Sequence, residues 1–526
     1  MISFPKPTNP WRQARLAIFA LLVWAGSLQA AIIQNDVFWK DTSGNILYSQ
    51  SGTILKVGDT YYWWGNKYRN AIGYAGDPTA PRGGGGGGFE AVTCYSSTDL
   101  VHWKFENDVF VPGTIPGSTA GAWFGRMGVV YNANTKKYVL IMEYIPRDAN
   151  NYGQELFATS STPTGNFTFD HIQKTLTNVV NKSPGDQTVF MDDDGKAYIV
   201  LSSSHGRDHQ YVAPLRAADF LNIEPATEIF KGPGREGNCM FKYNGRYYYC
   251  SSNLHGWNAS PTYVISATNI LGPYGPETVM ANTEPDFSHV TQTGFFITVH
   301  GTQQTTIIFA GDRWSNFGGN GIGYNDWCPL SFNGATPVFN SLNQWDFNAT
   351  TGNWTVGLGN NYILNPSFEA DRVAQRALAG WVNTSNISGA GPNGNAKKGE
   401  AHSGNFCMQQ LYKTDYTASM SQDINLPNGT YTLSAWVESS GGQNSAVLAA
   451  KNFGGTDLTY SLAKPIGVWT QVSIPGIKVT NGKCQVAIIS DAKAGDWVQV
   501  DDLSLINSSA ASVADAPAPS ARNTDN

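Results

Sequence analysis

Two carboxylates, Asp186 and Glu236, occupy matching places ahead of two tight turns in this 526-residue chain. Asp186 leads through Gln187-Thr188-Val189-Phe190-Met191 to Asp194-Gly195, and Glu236 through Asn238-Cys239-Met240-Phe241 to Asn244-Gly245. Laying one turn on the other is a shift of 50 residues, which superposes Asp186 on Glu236. Like charges held close raise one pKa unless they share a proton or a cation. A carboxyl kept protonated as general acid, tuned by a second charge, is what hydrolysis of a glycosidic bond uses. The plainer reading makes Asp186 a turn cap and Glu236 an exposed loop acid, and their equivalence within a repeat weighs against it. The run Asp192-Asp193-Asp194-Gly195 is turn chemistry, since Asp and Gly are favoured there for backbone reasons.

Extending the alignment places Gln50, Gly125-Arg126-Met127 and Gln292 at the corresponding points of three further units. The set is two acids, one arginine and amides, with no third carboxylate to act as a hydrolytic base. Trp63, Trp64, Trp123, Trp257 and Trp314 are the tryptophans that could stack on a sugar ring. Adjacent strand residues face opposite ways, so at least one of Trp63 and Trp64 belongs to the core. Trp257 and Trp314 stand near glycines in loops, and with Trp64, Arg126 and Gln50 they form the expected substrate-binding set. His255 could donate to a hydroxyl, although a lone histidine is more often merely solvated.

The elements that must position these residues form a repeat: an apolar strand, a polar turn, then a Tyr-rich strand. It runs as Gly52-TILKVGDTYYWWG, Gly128-VVYNANTKKYVLIMEY, Gln187-TVFMDDDGKAYIVLSS, Cys239-MFKYNGRYYYCSS and Gly294-FFITVHGTQQTTIIFAGDRW. Spacings of about 50 to 75 residues mean propeller blades or solenoids, and helical periodicity is missing. The fold class is therefore all-β: a five-bladed β-propeller over residues 32–345, with inner strands converging on a central channel. Residues 346–360 read as a linker. Residues 361–506, with short alternating strands such as Thr430-Tyr-Thr-Leu-Ser-Ala-Trp436, read as a β-sandwich of jelly-roll type. The Ala/Ser/Pro/Asp-rich stretch 507–526 reads as a disordered tail.

Lys6, Arg12 and Arg15 precede the apolar run Leu16–Gly26, so residues 1–30 read as a signal peptide and the mature protein as secreted, extracellular or periplasmic. The net charge is −6 with no basic cluster, which argues against nucleic acid and anionic membrane as partners. Aromatic residues make up 12% of the chain, which fits both a sheet core and a polysaccharide or oligosaccharide partner. The six cysteines have no CxxC spacing. Cys239 and Cys250 fall opposite each other if Asn244-Gly245 is a two-residue turn, within range of a disulfide. The Gly83–Gly88 run is a loop at the funnel mouth, not a phosphate cradle, because no Lys-Ser/Thr follows.

Gly52-TILKVGDTYYWWG, Cys94-YSSTDLVHW, Asp186-QTVFMDDDGKAYIVLSSS, Glu236-GNCMFKYNGRYYYCSS, Gly256-Trp257 and Gly311-Asp-Arg-Trp314 together resemble glycoside hydrolase family 43, and within it the exo-β-1,3-galactanase subgroup. The resemblance implies an inverting, exo-acting glycosidase on β-1,3-linked galactan, with Glu236 as general acid and Asp186 as the carboxylate that tunes it. It also implies that Gln292 takes the base role, because Gln50 stands where most members carry a base Asp; an amide is a weak base that could instead hold the water. Gly125 and Asn66 stand where the galactanases carry Glu, and Glu90 or Glu143 could supply the lost acid. An arabinofuranosidase, a xylosidase or another galactosidase is the alternative within the family. A non-catalytic carbohydrate-binding protein on a degenerate propeller is the alternative outside it. The C-terminal segment resembles a galactose-binding jelly-roll carbohydrate-binding module. Hydrolysis needs no cofactor, but some such modules hold a structural Ca²⁺, for which Glu369 and Asp502 would be the ligands.

Overall fold

The computed structural model describes residues 30–76, 88–117, 119–147, 152–314, 322–372, 378–389, 391–395 and 400–512. Residues 1–29 of the expected signal peptide, 83–87 of the Gly-rich run and the tail beyond 512 lie outside them. Among the described residues no helix is long and apolar enough to cross a membrane.

Five four-stranded antiparallel sheets follow one another along the chain. Their first strands are Gln50–Val57, Trp123–Asn132, Pro184–Met191, Arg235–Tyr243 and Gln292–His300, and each pairs with the strand that follows it. Turn chemistry sets the hairpins. Asn244 and Gly245 both have positive φ (48° and 74°), the geometry of the tight turn that joins Tyr243 to Arg246. That register puts Cys239 opposite Cys250 as expected, but no bond joins them: both are free thiols, and Cys239 Sγ turns to the Cys250 carbonyl at 3.8 Å.

The sheets pack face to face, so most strands are covered on both sides. Ala197–Ser203 is buried at every position, which erases the in–out alternation a half-exposed strand would show. Apolar clusters fill each interface in turn: Trp64 with Met127 and Leu140 between sheets one and two, Ile141 with Ile199 between two and three, and Val200 with Tyr249 between three and four. Phe241 with Phe309 fills the next, and Trp63 with Phe295 and Trp327 brings sheet five back onto sheet one. Ala31–Gln34 pairs with Gln344–Phe347, which pairs in turn with Trp354–Val356. The stretch read as a linker therefore carries strand pairing that ties the chain's beginning to the end of the five-sheet unit.

Residues beyond 361 build two five-stranded sheets around one apolar core that includes Leu433, Leu448, Ile488 and Val500. Their alternation is clean: Tyr416–Asn425 and Gly429–Ser439 bury every second residue. The last strand runs to Asn507 and a 3₁₀ turn covers Ser508–Ser512, so ordered structure extends past the expected start of the tail.

Candidate active site

Each first strand carries the same irregularity. Between Gln50 and Thr53, Phe124 and Met127, Pro184 and Gln187, Glu236 and Cys239, and Gln292 and Phe295, three steps on the inner strand oppose two on its partner. Such bulges bend a strand and re-aim its side chains. Gln50 and Glu236 open their bulges and Gln292 stands one residue ahead of its own, whereas Arg126 and Asp186 sit inside theirs. Sheet three also has a longer turn than sheet four, so the equivalence of Asp186 and Glu236 is approximate in register. Their meeting is not: both lie at the centre, joined by one arginine.

That arginine is Arg207, which sequence reasoning missed. Its Nη1 donates to Asp186 Oδ1 at 2.5 Å and to Glu236 Oε2 at 3.3 Å. It sits in a loop where His205, Gly206 and Arg207 all have positive φ (51°, 77° and 49°), a conformation disfavoured for the two non-glycines that fixes where the guanidinium goes. Asp186 Oδ2 also accepts from Arg126 Nε at 3.1 Å and from the Gly237 N–H at 2.8 Å. Burial pushes the Asp186 carboxyl up, but Arg207 and Arg126 outweigh it and hold the group down at about 2. Glu236 goes the other way, to about 7, through burial first and the Asp186 charge second, with Arg207 opposing. One carboxyl is thus ionised across the neutral range, and its neighbour titrates within it.

Arg126 was expected to touch substrate. Instead it is a buried brace between sheets: besides Asp186, it donates from Nη1 to Asp312 Oδ2 at 2.9 Å and to Ser51 Oγ at 3.4 Å. Asp312, of the Gly311-Asp-Arg-Trp314 motif, also accepts from the Ser51 N–H and hydroxyl, both at 3.0 Å. Its neighbour Arg313 donates to Asp36 at 2.6 Å and lies 3.0 Å from Asp326. Asp36, His289 and Asp326 bring ligand atoms together as a metal site would, but the Arg313 guanidinium already provides the positive charge there.

Gln292 joins the centre as expected, at a different post. Its Nε2 donates to Glu236 Oε1 and to the Gly256 carbonyl, both at 2.7 Å. An inverting base must stand about 6.5–9.5 Å from the acid to leave room for water. Gln292 is in direct contact with that acid instead.

Gln50 is 1% exposed and paired opposite Asn66 in the wall of the centre. Trp64 is fully buried between sheets one and two, with its Nε1 donating to Pro163 at 3.0 Å; like Trp63, it is core, because the sheet is packed on both faces. Trp257 follows the carbonyl that holds Gln292, and its half-buried ring packs 5.8 Å from that of Trp123. His255 faces the Ala259 carbonyl and the Phe287 ring, a local structural role. Trp314 ends the strand Thr305–Trp314, and its side chain lies outside the described residues. Glu90 pairs with Arg69 at the surface. Glu143, from the second strand of sheet two, lies within the charge field of Asp186 and Arg207 and is raised to about 7, chiefly by burial.

In the C-terminal sheets, Glu369 accepts the N–H groups of Asn405 and Phe406 at 2.6 and 2.9 Å. Asp502 takes the hydroxyls of Ser367 and Ser403 and the ring of His402. Both carboxylates clamp loops, and the charges of both add to the burial that pushes up the Asp501 carboxyl.

Residues 49–319 match the family described as Glycosyl hydrolases family 43, just over half of the chain. The chain belongs to this family. The family's fold is a propeller, and the chain adds a further β domain to it. Among solved structures, the chain is similar to an exo-beta-1,3-galactanase from Clostridium thermocellum, at 21% identity over 90% of this chain and 100% of that one, with TM-score 0.55. An exo-beta-1,3-galactanase from Phanerochaete chrysosporium, solved with beta-1,3-galactotriose, is likewise similar at 21% identity over 89% and 100%, with TM-score 0.54. At that identity the likeness establishes the fold. A curated protein of Xylanibacter ruminicola named "Putative beta-xylosidase" is 25% identical over 181 residues, 34% of this chain, and the match spans about a third (32%) of that protein's length. As a member of family 43, the chain is a glycosidase.

Proposed function

We propose that this family 43 glycosidase is an inverting, exo-acting hydrolase of β-1,3-linked galactan, secreted, and built as five blades closed about the Asp186–Glu236 centre. The observation that carries the reading is the divergence of two adjoining carboxyls: Asp186 pulled down to about 2 and Glu236 pushed up to about 7, with Arg207 between them. Glu236 holds a proton at neutral pH and gives it to the departing glycosidic oxygen. Asp186 stays negative, keeps that proton on Glu236 and orients the sugar. Gln292 fixes the Glu236 carboxyl, and the rings of Trp123 and Trp257 wall the entrance. The C-terminal sheets are read as a carbohydrate-binding module.

The galactan assignment draws on the names of the structural neighbours. The xylosidase name of the weaker relative favours a second reading within the family. Release of reducing sugar from β-1,3-galactan, xylan and arabinan, with identification of the monosaccharide, tests both. Galactose from β-1,3-galactan, lost in Glu236→Gln, is the expected result. Xylose or arabinose as sole product overturns the substrate assignment. No turnover of any glycan overturns the enzyme reading in favour of a carbohydrate-binding protein.

A further inference from the structure

Glu143 reaches the centre from an unexpected strand. It lies on Lys137–Ile145, the second strand of sheet two, whereas Asp186, Glu236, Gln292 and Arg126 all come from first strands. Its path in is opened by a glycine: a Cβ on Gly125 would lie 1.9 Å from Glu143 Oε2 and 2.8 Å from its Cδ, so any side chain at 125 and this carboxyl compete for one volume. The bulge that holds Gly125 is pinned, with Asn66 Nδ2 donating to the Gly125 carbonyl at 2.7 Å and the Tyr68 hydroxyl to that of Phe124 at 2.9 Å. The Trp123 indole nitrogen crowds the same point, at 2.9 Å from that Cβ position. Glu143 therefore stands beside the Trp123 indole and within the charge field of Asp186 and Arg207.

Two guanidiniums, Arg126 and Arg207, serve four carboxyls here. Asp186 and Asp312 receive bonds on both oxygens, and Glu236 is held by Gln292 and Arg207. Glu143 is in no ion pair among the described residues, although it is only 3% exposed. It accepts a hydrogen bond from the Arg126 N–H, but a carboxylate so buried with no ion pair is costly to keep as an anion, and function is a usual reason that one is kept.

We propose that Glu143 is a specificity-determining carboxylate that accepts hydrogen bonds from hydroxyls of the glycosyl unit in the centre, and that Gly125 exists to let it in. This rests on the reading of the centre as a glycosidase site. A polyol offers O–H donors to the lone pairs of Glu143 that the Arg126 N–H leaves over, and charge-assisted bonds of this kind are the strong ones. The groups facing Glu143 are Asp186, Arg207 and Arg126, with Tyr68 from sheet one and Glu155 opposite it on the third strand. Glu155 is fully buried, and burial, with the Glu143 charge behind it, pushes its carboxyl well above the usual value.

The test is sugar affinity in Glu143→Gln, Glu143→Ala and Gly125→Ala, each checked for folding by its thermal transition. Galactose is the probe, with xylose and arabinose in parallel. Glu143→Gln and Glu143→Ala are expected to weaken binding by about 10- to 100-fold, with KM rising more than kcat falls. Gly125→Ala should cost a similar factor, and the double variant Gly125→Ala with Glu143→Ala no more than either alone, because both remove one carboxylate. In the wild type, affinity should fall as pH drops through about 7, where Glu143 takes up a proton, and Glu143→Gln should lose that dependence. Unchanged affinity in Glu143→Gln, or additive losses in the double variant, overturns the proposal. If the wild type prefers xylose or arabinose, only the galactan reading fails, and Glu143 is judged on the preferred sugar. If it neither binds nor cleaves any of them, the glycosidase reading fails, and this proposal with it.

Discussion

The five-sheet unit and the C-terminal sandwich both bury carboxylates, and they treat them in opposite ways. In the sandwich, Asp501 is fully buried and takes the N–H groups of His402, Ser403 and Asp502, while Glu369 takes those of Asn405 and Phe406. Backbone donors fold a loop around the acid and fix its position. Burial, with the charge of Asp502 behind it, pushes Asp501 well above the carboxylate range. At the centre of the five sheets, the carboxyls are answered by two arginines set on bulges and a left-handed loop, and those arginines divide their charge unequally. Asp186 takes most of it and Glu236 little. Backbone donors make an acid a clamp, and side-chain cations shared among several acids make one of them an acid that works near neutral pH.

Variants can separate the two treatments. Glu236→Gln should lose about 10²- to 10⁴-fold in kcat, the usual contribution of a positioned general acid, with the thermal transition retained. Equal rates in variant and wild type would reduce the centre to another clamp. Asp186→Asn should lower kcat/KM by about 10- to 100-fold, since it removes the charge that keeps the acid protonated. In the sandwich, Leu433→Ala empties space in a fully buried core position and should cost about 2–5 kcal/mol of that domain's unfolding free energy, read by denaturant titration. The kcat/KM of the folded protein should not change; a large drop would mean that the sandwich shapes the centre. Trp257→Ala should raise KM by about 3- to 10-fold, the worth of one aromatic contact, and leave kcat near its original value.

Legibility followed the repeat. Turn alignment found Asp186, Glu236 and Gln292, because hairpin turns and bulges recur at fixed places in each inner strand. It gave no signal for Arg207, which lies in a loop outside the repeated hairpin, or for Glu143, which enters from a second strand through the space over Gly125. Trp64 was misplaced because sheets packed on both faces hide residues that strand alternation would leave exposed. Arg126 was brought to the centre by the alignment, but a sequence does not show that Asp312 would arrive from sheet five to complete its bonding. The sandwich was easier to outline, as its strands keep one face in water and alternate cleanly.

The pH dependence of kcat/KM, compared between the wild type and Asp186→Asn on whichever glycan the wild type cleaves, bears most directly on the paired carboxyls. Glu236 must be protonated to act, so the alkaline limb of the profile should fall as pH rises through about 7, separate from the acidic limb expected of Glu143. Without the Asp186 charge, Arg207 and Arg126 should pull Glu236 down, and the falling limb should move to lower pH in Asp186→Asn. A limb that stays in place, or moves upward, would contradict the assignment of Asp186 as the charge that holds the proton on Glu236.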